Sequence, residues 1–523
     1  MEVKLDSNYR DVILLGYENE ENLGLRYIAS YLIENGVSVG IIPLQDLDRD
    51  KLPESILSIN PKILGFSLIF QRMLPEFSDI INLLRINGVE CHITMGGHFP
   101  TIEYEKTLDL IPGLDSIIRH EGELTLLELY KYLDAPDHWL EIRGLAFRNG
   151  RHIQKTISRP LIQDLDRLPF PLRSSKIQSH RGLGISSIIS SRGCYHNCSF
   201  CSIQEFYREA PGPKRRTRSP ENVVKEMKVL FDNGTRIFSF KDDDFSMIGP
   251  SRQQWIKRFV SNLENAHLTD KILWRISCRV DEIDSDMLDL LFSSGLRTLY
   301  LGIESGNNQG LKTCNKHVTV PDIFKSINVL KKSMVNFEYG FMMLDPDSDM
   351  SSVKENISFL RRLCDDGSAV VHFAKMAPYG GTSISHRLKK EGRLLGSIIA
   401  PDYMYNDTRV DAFETFIIRA FYHMLFHPEG IVSKLQYAKF DATVAAMFFK
   451  DEYDTEKYTN EVRRLIRLCN NSTLKTLEQA AKFMECRSPE EIYRDWPDMG
   501  KLADQTRAVQ SKISMDLDNL KIM

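Results

Sequence analysis

Three cysteines, Cys194, Cys198 and Cys201, stand at C-x3-C-x2-C in the stretch RGCYHNCSFC, residues 192–201. Thiolates this close together converge on one metal centre, and zinc and iron–sulfur clusters both take such ligands. Structural zinc is closed by four ligands, so a zinc site would recruit His196 from inside the loop as the fourth. A cubane iron–sulfur cluster usually takes four thiolates; with three, one iron keeps an open position, and an open position is where chemistry happens. Cys91, Cys278, Cys314, Cys364, Cys469 and Cys486 are far apart and show no C-x2-C, so they read as structural or incidental thiols.

Such a loop needs elements to hold it. LGISSIISSRGC reads as a strand feeding the cysteines, and a strand–helix series follows to about residue 380. Its strands are RIFSFKDDDF, LWRISCRV, LRTLYLGIES, FEYGFMML and VVHFAKMAP, with Ser219 an N-cap and Pro220 the first position of one intervening helix. Repeated units of this kind suit a parallel barrel or part of one. Upstream, residues 11 to about 130 alternate β-branched runs (DVILLG, VSVGII, KILGFSL, CHITMGG, DSIIRHEGE) with amphipathic helices. In LGLRYIASYLIENG, for instance, Leu25, Ile28, Ala29 and Leu32 share one face and Gly36 ends the helix. That alternation predicts a doubly wound parallel sheet, which binds ligands beyond the carboxyl ends of its strands. Those ends carry Ser67 to Arg72, Gly96 to Thr101 and Glu121 to Glu123. Gly96 and Gly97 would let the backbone approach a bulky partner, or simply make a tight turn. No G-x-G-x-x-G is present, which disfavours a dinucleotide.

IRGLAFRNGRHIQK predicts a hairpin turning at Asn149–Gly150, and the proline-rich RPLIQDLDRLPFPLRSS predicts a linker. Beyond about residue 400 the strand signal gives way to helical pattern, in which Phe413, Phe416, Phe421 and Tyr422 read as core at helical spacing. The expected domains are a Rossmann-like domain at 1–145, a hairpin and linker at 146–182, a partial barrel at 183–385 and a mostly helical region at 386–523.

Composition frames this reading. At 523 residues and 42% apolar the chain can bury a sizeable core and form two or three domains. A net charge of -4 gives no case for nucleic-acid or membrane-surface binding. No apolar run approaches the roughly 20 residues of a membrane span. The start lacks signal-peptide features, and the scattered cysteines suit a reducing cytosol, so a cytoplasmic protein is expected.

RGCYHNCSFC resembles the cluster motif of the radical S-adenosylmethionine (SAM) superfamily, and the N-terminal half resembles the cobalamin-binding domain carried by one large class of those enzymes. The match runs in order from about residue 11 to 430. The resemblance implies that Cys194, Cys198 and Cys201 hold a [4Fe–4S] cluster, whose fourth iron takes the amino and carboxylate groups of SAM. Phe200 matches the aromatic that contacts adenine in relatives. FKDDDF resembles an F-x-D-D-x-F element, making Asp242 and Asp243 candidates near the SAM ammonium. Arg279 in WRISCRVDEI is a candidate for the SAM carboxylate, and LYLGIESG matches a strand whose end, Glu304 and Ser305, lies near the ribose and methionyl part. Two departures stand out: Leu344 where a glycine is usual, and Gly380 in APYGGTSI where a proline is usual.

In the N-terminal domain the resemblance makes Ser67, Phe70, Gln71, Arg72, Gly96, Gly97, His98, Glu121 and Gly122 candidates for cobalamin contacts. No D-x-H-x-x-G is present, so base-off cobalamin without a protein histidine on cobalt is implied, with His98 and His120 as hydrogen-bonding or surface histidines. A side chain from Phe70 to Arg72 is expected to face the lower side of cobalt. The implied reaction starts with reductive cleavage of SAM to a 5'-deoxyadenosyl radical. Methylation of an unactivated carbon through methylcobalamin is the first expectation; rearrangement, cyclisation or oxygen insertion without methyl transfer is the second. A small-molecule or peptide substrate and an electron donor such as flavodoxin or ferredoxin complete the picture. Methylthiotransferases need three further N-terminal cysteines, and only Cys91 lies upstream of Cys194. A cobalamin sensor with a zinc knuckle is the non-enzymatic alternative.

Overall fold

The computed structural model describes residues 10–174 and 177–520. The chain divides into two compact units. The first takes residues up to 235 with 239–243 and 378–402; the second takes 236–238, 244–377 and residues from 403 on.

The first unit opens with five parallel strands, β1 (Val12–Gly16), β2 (Val39–Pro43), β3 (Ile63–Ser67), β4 (His92–Gly96) and β5 (Ser116–Ile118), in the order β2-β1-β3-β4-β5. Alternate residues of one strand serve opposite faces. Val12 and Leu14 join the helices Leu23–Glu34 and Glu123–Lys131 in one apolar cluster, while Ile13 and Leu15 join the helices Leu52–Ile59 and Leu74–Ile86 in the other. Both faces are covered, which is why these strands read as nearly unbroken apolar runs. In the helix Leu23–Glu34, Leu25, Ala29 and Leu32 are buried and Ile28 is half-buried; Asn22 caps the start and Gly36, at φ +80°, follows the end.

The sheet runs past the expected boundary at 145. β6 (Leu145–Asn149) pairs antiparallel with β5, and β7 (His152–Lys155) with β6, so the hairpin belongs to the sheet. Asn149 pairs with His152, which puts the turn at Gly150–Arg151 rather than Asn149–Gly150. Gly150 supplies the positive φ (+61°) that the first loop position needs.

Next come the antiparallel pair β8 (Gln178–His180) and β9 (Leu183–Ile188), then β10 (Ser191–Arg192) and β11 (Arg216–Thr217), which pair across the cysteine loop and the helix Ser202–Arg208. With β12 (Thr235–Phe240), β13 (Leu273–Arg279), β14 (Leu296–Glu304), β15 (Asn336–Leu344) and β16 (Ala374–Lys375), the strand order is β16-β15-β14-β13-β12-β9-β8, an open sheet. In the second unit β13 to β16 pair in parallel. Along β15, Phe337, Tyr339, Phe341 and Met343 are buried at every second position. β16 keeps two residues of the strand expected over VVHFAKMAP. A short ribbon, β17 (Leu394–Gly396) and β18 (Pro401–Tyr403), was not anticipated.

From residue 408 the chain is helical: Thr408–Phe426, Ile431–Phe448, Thr455–Glu485, Pro489–Arg494 and Trp496–Asp518. Phe413, Phe416 and Phe421 are core, as expected, but Tyr422 is 61% exposed, since neighbours on a helix point about 100° apart. Among the described residues no helix is long and apolar enough to cross a membrane.

The β3 and β4 loops touch closely. Leu68 N donates to Gly96 O at 2.9 Å, Gly97 has φ +109° and ψ -174°, and a Cβ there would lie 2.1 Å from Leu68 O. The need for glycine at 97 is therefore internal. Gly97→Ala should lower stability by about 3 kcal/mol or more, from a glycine-only conformation plus a backbone clash. Gly36→Ala, strained in φ but in open space, should cost about 1 kcal/mol. Urea midpoints of the two variants check the contrast; equal shifts would show that the Leu68 contact is not limiting.

Candidate functional site

The cysteine loop is fixed from several sides. Gly193 has φ +81° and sits so near Lys214 that a Cβ would be 1.8 Å from its carbonyl. Its amide donates to Asp243 Oδ2 at 2.7 Å. Inside the loop, Cys201 N donates to Cys198 O (3.2 Å), His196 N to Cys194 Sγ (3.4 Å) and Gln204 Nε2 to Cys194 O (2.5 Å). Cys201 is also the N-cap residue of the helix Ser202–Arg208. All three cysteines are half-buried, as is Phe200, and no disulfide joins any of the nine cysteines. Three reduced thiols on one fixed loop are a donor set that fits a three-thiolate cluster.

Asp242 is buried and committed to the strand that feeds the loop: it accepts from Ser190 N (2.6 Å), Ser190 Oγ and Ser191 Oγ (2.9 Å). Asp243 keeps solvent contact, yet desolvation of its carboxyl, with the Asp242 charge adding to it and the Gly193 amide opposing it, raises its pKa to about 6.

Arg192, next to the loop, joins it to the end of β5. Its Nη2 donates to Glu123 Oε1 at 2.7 Å and its Nη1 to Glu121 Oε1 at 3.2 Å. Arg216 Nη1 reaches the same Glu121 oxygen at 2.7 Å, and Ile162 N donates to the other at 2.8 Å. Burial alone would raise the pKa of Glu121, but Arg192, Arg216 and the Ile162 amide outweigh it and hold it below the carboxylate range. Glu121, a candidate cofactor contact, thus has its carboxylate fully occupied by protein. Gly122 is buried where a Cβ would press on Ile28 at 2.8 Å.

The remaining N-terminal candidates gather around the β3 and β4 loops. Ser67 pairs with Gly96 across the sheet. Gln71 is 2% exposed; its Oε1 accepts from Gly380 N at 2.9 Å, while its Nε2 is buried with no partner among the described residues. This explains Gly380: a proline there would have no N–H to give. Phe70 is exposed, with its ring 5.9 Å from Tyr379, and Arg72 is exposed. Gln71, Glu103, Lys106, Gly380, His386 and Lys389 line part of a cavity of about 390 Å³. The unpartnered Gln71 donor beside this cavity fits a polar group of a cofactor. His98 and His120 are interior hydrogen-bonding groups rather than surface ones. His98 contacts Ser202 Oγ (3.2 Å) and stacks on Phe206; His120 meets Phe206 O (2.5 Å) and Ser158 Oγ (3.2 Å). The Gly96–Gly97 loop therefore lies against the helix that follows Cys201.

In the second unit Arg279 and Glu304 meet through a residue that the sequence did not single out, Lys316. Arg279 donates to Lys316 O, and Lys316 Nζ to Glu304 Oε1 at 3.1 Å. Arg279 also pairs with Asp281. Ser305 is 1% exposed and its Oγ contacts Asn356 Oδ1 (3.3 Å). Leu344, the other departure, is buried and pairs with Lys375. Arg192, Arg216 and Lys316 went unread because their partners are distant in sequence; charged residues beside apolar strands were the only signal.

The chain thus joins a doubly wound sheet, with a buried amide beyond β3 unpartnered among the described residues, to a second sheet whose strand feeds a fixed three-thiol loop. The family model of the radical SAM superfamily matches residues 188–360, and that of the B12 binding domain matches residues 10–130. An uncharacterized methyltransferase, PH0819, of Pyrococcus horikoshii is 28% identical over 69% of this chain and 77% of its own length. The anaerobic magnesium-protoporphyrin IX monomethyl ester cyclase of Cereibacter sphaeroides is 28% identical over 57% of this chain, which spans only 48% of that relative. The solved structure of OxsB, a cobalamin-dependent SAM radical enzyme with aqua-cobalamin bound, shares the fold at TM-score 0.70 and 18% identity, over 98% of this chain and 80% of that one. The chain belongs to the radical SAM superfamily, among its cobalamin-dependent enzymes. Its cofactors are a [4Fe–4S] cluster, SAM and cobalamin, which resolves the zinc alternative for the cysteine loop.

Two expectations follow from the geometry. Glu121→Gln removes the charge shared by Arg192 and Arg216, and breaking a buried pair in this way should cost about 3–5 kcal/mol, seen as an earlier urea transition. Burial holds both His98 and His120 near pKa 4, against 6.5 unfolded. The unfolded chain therefore binds protons first as pH falls, and the stability present above pH 6.5 is lost between 6.5 and 4. The loss is about 3 kcal/mol for each histidine. A His98→Asn/His120→Asn double variant should show a flatter melting temperature against pH over that window; an unchanged slope would discard this assignment.

Proposed function

We propose that this protein methylates an unactivated carbon of a small biosynthetic intermediate or a peptide. The observation that carries the reading is the joining, in one chain, of a three-thiol radical SAM loop to a B12-binding domain; the similarity to a methyltransferase over most of that relative's length supports it. When bound, the cluster supplies the electron that cleaves SAM and cobalamin supplies a methyl group to a carbon radical.

The chain's own residues bind and position. Cys194, Cys198 and Cys201 hold the cluster, with Phe200 beside it. Asp243, poised near pKa 6, offers an acceptor to the SAM ammonium, while Asp242 shapes the loop through Ser190 and Ser191. Arg279 and Glu304, tied together by Lys316, act on the carboxylate and ribose parts of SAM, with Ser305 holding the strand end through Asn356. Gln71 offers its buried amide toward cobalamin, with Ser67, Phe70, Arg72 and His98 around it, and Gly96, Gly97, Glu121 and Gly122 keep those loops in shape. An electron donor such as flavodoxin or ferredoxin and a cytoplasmic location belong to the same reading, as do domains at 1–145, 183–385 and 386–523 with a hairpin and linker at 146–182.

Product stoichiometry with methyl-labelled SAM tests the reaction. Methylation requires S-adenosylhomocysteine, 5'-deoxyadenosine and label in the product. Deoxyadenosine with an unlabelled, rearranged product would instead place this chain with the cyclase it resembles. In either case Cys194→Ala should abolish iron binding and SAM cleavage, whereas Cys364→Ala should leave the cluster spectrum intact.

A further inference from the structure

The second unit contains a cavity of about 660 Å³ at the amino ends of β14 and β15, near Arg297 and Asn336. Active sites of parallel barrels open at the other, carboxyl ends of the strands. The helices Ile431–Phe448 and Thr455–Glu485 supply the rest of the wall, including Lys439 and Arg463, and Lys450 lies just beyond the first of them. Four cations line the space, with one acid, Asp270.

Lys439 carries most of the argument. Its Nζ donates to Phe337 O (2.7 Å) and to Ser368 O, both neutral carbonyls, and among the described residues no carboxylate hydrogen-bonds it. Desolvation lowers its pKa to about 8, with the Glu338 charge opposing. A desolvated ammonium without a bonded counter-charge is costly, and a bound anion would remove that cost. On the same wall Ser368 N donates to Asp366 Oδ1 at 2.9 Å, so Ser368 offers the space its carbonyl-bound Lys439 rather than a free hydroxyl. Arg463 and Lys450 are exposed and make no hydrogen bond or ion pair among the described residues. Arg297 is half-buried over the Phe292 ring (4.1 Å), faces the Asp270 charge, and among the described residues hydrogen-bonds only through Nη1, to the carbonyls of Phe292 (2.6 Å) and Leu296 (2.9 Å). The volume falls within the range of small-molecule sites, about 300–1,000 Å³.

We propose that this cavity binds an anionic small molecule bearing a phosphate or carboxylate group. Lys439 meets the anion at the floor, and Arg297, Lys450 and Arg463 surround it. The site is independent of the methylation reading, and its test needs neither cluster nor SAM.

Calorimetry on the full-length protein at low salt, with pyrophosphate, inorganic phosphate and citrate as separate probes, separates phosphate from carboxylate recognition. Saturable one-to-one binding is expected for at least one probe, weakening as salt is added. Arg463→Ala and Lys450→Ala remove exposed side chains without disturbing the core, and each should weaken that binding about tenfold. Lys228→Ala, whose side chain pairs with Asp232 elsewhere on the surface, should leave it unchanged. No binding by any probe up to about 10 mM, or binding indifferent to both rim substitutions, overturns the proposal.

Discussion

Arg192 is a full positive charge taken out of water beside the cysteine loop, and the first unit is arranged around satisfying it. Two carboxylates, Glu121 and Glu123, close on it from the helix start after β5, and Glu121 is shared with Arg216 from the far side of the loop. Charges so placed are expensive to desolvate and are tolerated only with near-complete pairing. The result is geometric more than energetic: β10 and β11, between which the thiols lie, cannot shift relative to the first sheet without exposing an unpaired charge. The metal ligands and the B12-binding sheet thus share one rigid reference.

The same logic recurs around the loop with uncharged donors. Asp242 gathers Ser190 and Ser191, Asp243 gathers Gly193, and Gln71 takes the amide of Gly380. Each of the three side chains fixes at least one backbone amide, which suits a site whose chemistry resides in bound groups that must be held still. Gln71 divides within one residue, its oxygen spent on the fold and its nitrogen buried without a partner among the described residues.

Sequence patterning made the scaffold legible because it is local. Short β-branched runs located β1 to β5 and period-3.6 apolar spacing the helices between them, and the C-x3-C-x2-C spacing pointed to a metal centre. What escaped is what depends on distant partners. Nothing near residue 145 announces that the hairpin will pair with β5, and nothing near Glu121 announces Arg192 or Arg216. Gly380 looked like a weakened motif until its donor role emerged. Tyr422 turns to solvent because it follows the buried Phe421 by one residue on the helix, and only Ala374 and Lys375 of VVHFAKMAP pair as a strand, since apolar sequence alone does not supply a partner.

The segment 378–402 has a consequence for the order of synthesis. It belongs to the first unit, and Ser383 and Ile384 bond the carbonyl of Ser199, 184 residues earlier in the case of Ser383. At 5–20 residues per second a ribosome takes roughly 10–40 s to cover that interval. Through that time a nascent chain exposes its three thiols on a loop that still lacks one of its walls. Delivery of iron and sulfide during translation would meet an open loop, whereas delivery after release meets a closed one, so the timing of cluster assembly is written into the chain's connectivity.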